Sequence, residues 1–245
     1  MAEAQTQRAP QSGPAKNPGL LSRLLWHWPL GLMGVLLASL FLSLVFEYLG
    51  MVFLWPEEGM RHSQQMLVRE LEFLSVGFTR SLLHSAPVET GHAVIRQLAQ
   101  WLLVDSGVSE WRHRGQQLGA SALQAWGGWL YGLLQDYLLA SVYVCLTFVV
   151  RLMILTLSLP LFVLALLVGL TEGLVRRDLR RFGAGYESSF IYHHAKRSIK
   201  TALYTPWLLY LSLPFTVYPN LILLPAAAWL GLAVCVTTAT FKKYL

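Results

Sequence analysis

Two ionisable residues interrupt otherwise apolar runs, Glu47 and Arg151. A charge at membrane depth is costly enough to demand a partner or a function. Along straight helices Glu47 stands about 26 Å above Leu30 and Arg151 about 29 Å from Leu170, at about 1.5 Å per residue. Equal depth predicts that the two meet near the outer interface as an intramembrane ion pair, fixing the packing of the first two spans, with Asp136 as the alternative, second candidate partner for Arg151. The competing reading is that each side chain snorkels separately to the outer headgroups. An ion or proton pathway would need several such pairs through the bilayer, and Glu47 and Arg151 are joined there by uncharged residues such as Thr156 and Ser158 rather than by further charges.

A second constellation is cationic. Arg176, Arg177, Arg180 and Arg181 follow i, i+4 spacing, which sets two arginine rows side by side on a helix, and His193, His194, Lys196, Arg197 and Lys200 follow. Such a patch suits anionic lipid headgroups or an acidic partner surface. The same charges also serve simply to fix orientation. His193 and His194 are adjacent and point about 100° apart on a helix, so they cannot chelate one metal by themselves. His62, His84, His92 and His113 lack zinc-ligand spacing, and Cys145 and Cys235 lie in apolar runs as small packing residues. Gly183-Ala184-Gly185 is not followed by the lysine and serine of a phosphate-binding loop. No nucleophile, base and oxyanion set is visible. A membrane enzyme would have to draw on Asp178, Glu187, His193 and His194. The expectation is therefore no catalytic, metal or cofactor site.

The elements that position these residues follow from composition. With 55% hydrophobic and 13% charged residues in 245 and a mean hydropathy of +0.48, the chain has too little polar surface for a water-soluble globule, and its apolar residues gather into runs of span length. Residues 1–25 form a polar tail rich in Ala, Gln, Pro and Gly, expected to be disordered and cytoplasmic. Residues 26–55 make a first span bracketed by tryptophans. Residues 56–136 carry charges of both signs and read as a helical periplasmic domain. There Leu67, Leu71, Leu74, Phe78 and Leu82 form one stripe and Val94, Ile95, Leu98, Trp101 and Leu102 another. Residues 137–171 read as one long helix containing the second span, kinked near Pro160, whose earlier half packs on the outer domain.

Residues 172–200 form the basic cytoplasmic segment, broken at Gly183 and Gly185. Two further spans, 201–218 and 221–241, turn at Pro219-Asn220 and lead to a cytoplasmic end at 242–245 containing Lys242 and Lys243. The expected fold class is thus an all-α integral membrane protein with four transmembrane helices, both termini inside, in a bacterial inner membrane. Gly34 with Ala38, Gly169 with Gly173 and Ala227 with Gly231 have small-x-x-x-small spacing, which permits close helix association within the chain or with another membrane protein; a homo-oligomer is a further expectation.

The segment Gly173-Leu-Val-Arg-Arg-Asp-Leu-Arg-Arg-Phe-Gly-Ala-Gly185, followed by Glu187-Ser-Ser-Phe and Tyr192-His-His-Ala-Lys-Arg197, resembles the integrating conjugative element membrane proteins, the family of domain of unknown function 4400. That resemblance implies a role in conjugative DNA transfer through a type IV secretion system and implies no catalytic residue. Combined with the topology, it suggests an accessory subunit that docks or stabilises the coupling ATPase through the basic segment. Membrane lipids are further partners, and direct nucleic-acid contact is left open. The alternative is a transporter or channel-like protein unrelated to secretion.

Overall fold

The computed structural model describes residues 28–78, 86–105, 122–182 and 189–241. Contacts divide the chain into Met1–Val35, of which only the start of the first helix is described, and Leu36–Leu245, which contains the packing set out below. The described residues form helices only: α1 Trp28–Phe53, α2 Met60–Gly77, α3 Pro87–Ala99 continued by a π-helical turn at Gln100–Asp105, α4 Ala122–Leu157, α5 Leu159–Phe182, α6 Ser189–Ser212 and α7 Pro219–Ala239.

Local chemistry sets the boundaries. The α1–α2 turn is closed by the Gly50 carbonyl, which accepts from the backbone N–H groups of Leu54 and Trp55 at 2.8 and 2.9 Å. Gly59, at φ 50°, supplies the left-handed residue that starts α2. Pro160 separates α4 from α5, since it has no N–H to donate back to the preceding turn. Ser158 patches the break by giving its hydroxyl to the Ile154 carbonyl at 2.7 Å. Pro214 stops α6 in the same way, and Pro219 opens α7, where a missing N–H costs nothing.

α5 and α7 run side by side in the same direction. A Cβ on Gly169 would strike the Gly231 carbonyl, and one on Gly173 would meet Thr238 and, at 2.7 Å, the Cys235 carbonyl. α6 returns against α7, with the Trp229 indole donating to Ser198 Oγ at 3.0 Å and Tyr192 beside Phe241. Farther along the chain's first half, α2 lies along α4, with Gly59 near Asp136 and Leu74 fully buried beside Gly91 of α3. A shared apolar core joins Leu67, Leu74, Val150, Ile154, Phe162, Leu223 and Leu230.

Three stretches are long and apolar enough to cross a membrane: Leu30–Phe53, Leu134–Arg180 and Pro219–Ala239, with 24, 47 and 21 residues. Outward-facing Leu164, Val168, Leu221 and Leu232 on α5 and α7 keep an apolar exterior. The expected span at 201–218 is not among the three. It merges with part of the basic segment into α6, which begins at Ser189 and ends at Ser212, because Pro214 prevents helix through the rest of that run. Residues 172–200 are helical at both ends, as the i, i+4 arginine spacing implies, with Gly183 and Gly185 outside the described residues. The helix expected at 137–171 starts earlier, at Ala122, and breaks at Ser158. The tail at 1–25 and the end at 242–245 also lie outside the described residues.

Candidate functional site

Arg151 stands on the inner stripe of α4 with Val144, Thr147, Ile154 and Leu155, all buried and each three or four residues from a member of the neighbouring turn. Helical periodicity therefore forces the guanidinium into the core, at 1% exposure. There its Nε donates to Glu70 Oε1 at 2.8 Å, Nη1 to the Leu213 carbonyl at 2.6 Å, and Nη2 to the Phe215 carbonyl at 2.9 Å. Nη2 also reaches Glu70 Oε1 at 2.8 Å and Met66 Sδ at 3.8 Å. Tyr210 completes the arrangement by donating its hydroxyl to Glu70 Oε2 at 3.2 Å while its ring centre lies 5.5 Å from the guanidinium carbon. Burial pushes the Glu70 carboxyl above its usual range, opposed by the charge and hydrogen bond of Arg151 and the hydroxyl of Tyr210.

Both oxygens of Glu70 and all three nitrogens of Arg151 are engaged, so one fork ties together α2, α4, the end of α6 and the loop before α7. A buried pair of this kind is weak evidence for net stability, but removing one partner leaves an uncompensated charge. Phe73 adds an edge-on contact to Tyr218 beside the same loop.

Glu47 occupies a separate cluster. Its Oε1 accepts from Ser63 Oγ at 2.6 Å and lies 3.2 Å from His62 Nδ1, while Oε2 has no partner among the described residues. His62 stacks on Trp55 at 3.8 Å. Gly50 makes that stack possible, because a Cβ there would collide with the indole. The next residue, Tyr48, shares a 2.6 Å hydrogen bond with Ser141 of α4.

The expected Glu47–Arg151 pair is therefore not formed. α2 answers both charges, since Ser63 and Glu70 are seven residues apart and share its inner face. Asp136 is not the second partner of Arg151 either; it sits beside Gly59. Sequence reasoning missed Glu70, Ser63 and Tyr210. The signal for Glu70 was present, as it falls three residues after Leu67 and four before Leu74, on the apolar stripe itself.

The cationic residues lie at the opposite end of α5 and α6 from the Arg151 fork. Arg176 Nε donates to Glu172 Oε1 at 2.8 Å in an exposed i, i+4 pair, and Arg177 lies 3.6 Å from Asp178. Arg180 is half-buried, and the side chain of Arg181 lies outside the described residues. On α6, His193, His194, Lys196, Arg197 and Lys200 are exposed. Phe190 packs against His194 at 4.5 Å, and Lys196 Nζ lies 5.9 Å from the centre of the Tyr192 ring. Phe182 and Phe190 stand 92% and 71% exposed among these cations, so this end is basic and aromatic together. The described residues contain no cluster of three or more His, Cys, Asp or Glu able to hold a metal.

Residues 54–242 match the model of the family described as IncC plasmid conjugative DNA transfer protein DtrJ-like. The chain belongs to this family. The DtrJ-like match covers most of the chain, from the α1–α2 turn to the end of α7, so the fork, Ser63, His62 and the whole basic segment fall within it, while Glu47 precedes it. It establishes the conjugation-related part of the resemblance drawn from the arginine-rich segment; the narrower integrating-element family does not follow from it. No curated protein and no solved structure matches the chain.

Proposed function

We propose that this DtrJ-like protein is a non-catalytic, multi-pass inner-membrane subunit of a conjugative type IV secretion apparatus, and that its basic segment docks or stabilises the coupling ATPase from the cytoplasmic side. The observation that carries this reading is the contrast between the two sets of charges. Inside the apolar body, Arg151 and Glu70 are satisfied by one another and by backbone. At the far end of α5 and α6, Arg176, Lys196, Arg197 and Lys200 remain exposed beside Phe182 and Phe190. Exposed cations with aromatic neighbours suit an acidic protein surface more than a substrate path.

In this arrangement α1 crosses outward, α2 and α3 lie on the periplasmic side, and α4–α5 returns the chain to the cytoplasm. α6 and α7 then make a last hairpin that brings the C-terminus back inside. The excess of Lys and Arg in 172–200 supports that orientation. A transporter or channel is supported less well, because such a protein needs polar groups facing a pathway, and the polar groups of the fork face each other.

Co-purification tests the docking role. Changing Arg176, Arg177, Arg180 and Arg181 together to Gln should reduce recovery of the coupling ATPase about tenfold or more, as expected when several charge contacts are lost, and should reduce DNA transfer while the protein stays in the membrane. Undiminished ATPase recovery would discard this surface. Capture of DNA instead of ATPase by the wild type would reassign the arginines to nucleic acid.

A further inference from the structure

The close approach of α5 and α7 at Gly169 and Gly231 leaves a groove of about 440 Å³ along their outer side. Leu164 and Val168 from α5 and Leu224 and Ala228 from α7 line its apolar length, and Glu172 with Arg176 closes one end. All four apolar residues are exposed, so no described part of the chain covers them.

We propose that this groove seats one acyl chain of an anionic phospholipid, with the phosphate held at Arg176. The inference rests on the reading that α5 and α7 cross the membrane. Charge placement selects the occupant: a purely apolar partner surface would leave the charged end idle, whereas a lipid has an anionic head and an apolar tail in that order. Arg176 is followed one turn later by Arg180, with Arg177 beside it, so this end stays net positive against Glu172 and the Asp178 that lies 3.6 Å from Arg177. The Glu172–Arg176 pair is exposed on both sides, so its hold on the guanidinium is weak and a phosphate can share it.

Size agrees. Leu164 to Arg176 spans about 18 Å of helix at about 1.5 Å per residue, close to one leaflet of a hydrocarbon core roughly 30 Å thick. A groove of that length and volume holds a single chain of methylenes, while a partner helix about 10 Å across would stand mostly outside it.

The test uses the full chain extracted from membranes in mild detergent, without ATPase, and native mass spectrometry after adding phosphatidylglycerol or phosphatidylethanolamine. Wild type should retain phosphatidylglycerol about fivefold over phosphatidylethanolamine, the ratio one arginine near an anionic headgroup supplies. R176Q should erase that preference while leaving tail binding. A228F, at an exposed position away from the Gly169–Gly231 contact, should fill the groove and abolish retention of both lipids. Equal retention of the two lipids by wild type, or an unchanged preference in R176Q, overturns the proposal, and R176Q decides even where A228F does not fold. A protein found outside the membrane fraction would overturn the membrane reading as well. A membrane-bound protein with no lipid preference sinks only this seat.

Discussion

Arg151 and Glu70 are charges that the fold has placed where water cannot reach, and the energetics of such pairs decide what their loss should do. Glu70→Ala leaves a buried guanidinium short of its counter-charge and should destabilise the protein by about 3–5 kcal/mol. Tyr210→Phe removes one hydrogen bond from the periphery of the fork and should cost only about 1–2 kcal/mol. Thermal unfolding in detergent ranks the two, and a larger loss for Tyr210→Phe would move the centre of the network away from the ion pair. Ser63→Ala should cost about 1.5–3 kcal/mol by the same measurement, because the hydroxyl donates to the buried Glu47 carboxylate. At this scale the sequence marked Glu47 and Arg151 as needing partners but not which partners. Depth along two helices is a one-dimensional coordinate, and it left out α2, whose polar Ser63 and Glu70 sit between apolar residues on its inner face.

Helix contacts were more legible than helix ends. The small-residue spacings at Gly169–Gly173 and Ala227–Gly231 do mark touching faces, for Gly169 meets Gly231 and Gly173 meets Thr238 and the Cys235 carbonyl. Gly34, with the same spacing, has nothing within 4 Å among the described residues, so the pattern permits close packing without requiring it. Gly169→Leu should push α5 from α7 and cost about 1–3 kcal/mol or more, since the obstacle is a backbone carbonyl that cannot swing aside. Gly34→Leu serves as the comparison and should be near neutral in the same melting assay; equal losses would mean that the Gly169 contact carries no packing energy. The ends were harder. Pro160 flagged the α4–α5 break, but Pro214 was overlooked inside an apolar run, and with it the stop of α6 at Ser212. Hydropathy averages over a proline that backbone geometry cannot.

At the scale of the whole molecule, the all-helical character of the described residues was legible from composition, because apolar runs in lipid satisfy their backbone groups only as helices or closed barrels. The number of crossings was not. Three stretches qualify on length and hydropathy, and α6 mixes a basic first half with an apolar second half, so averaging cannot assign it. Reporter fusions resolve this: fusions at Gly183 and after Phe241 should report the cytoplasm, and fusions at Thr90 and Thr216 the periplasm. A cytoplasmic signal at Thr216, with those at Gly183 and Phe241 also cytoplasmic, would remove α6 and α7 from the membrane-crossing set.

The carbonyls of Leu213 and Phe215 that receive Arg151 leave the ribosome more than sixty residues after the arginine they satisfy. Until that late loop emerges, the nascent chain holds a cation among apolar neighbours with half its donors idle. A truncation after Ser212 should therefore be cleared by membrane quality-control proteolysis much faster than one after Phe241, as pulse-chase labelling would show. Two hydrogen bonds thus tie an arginine of α4 to a loop made more than sixty residues later.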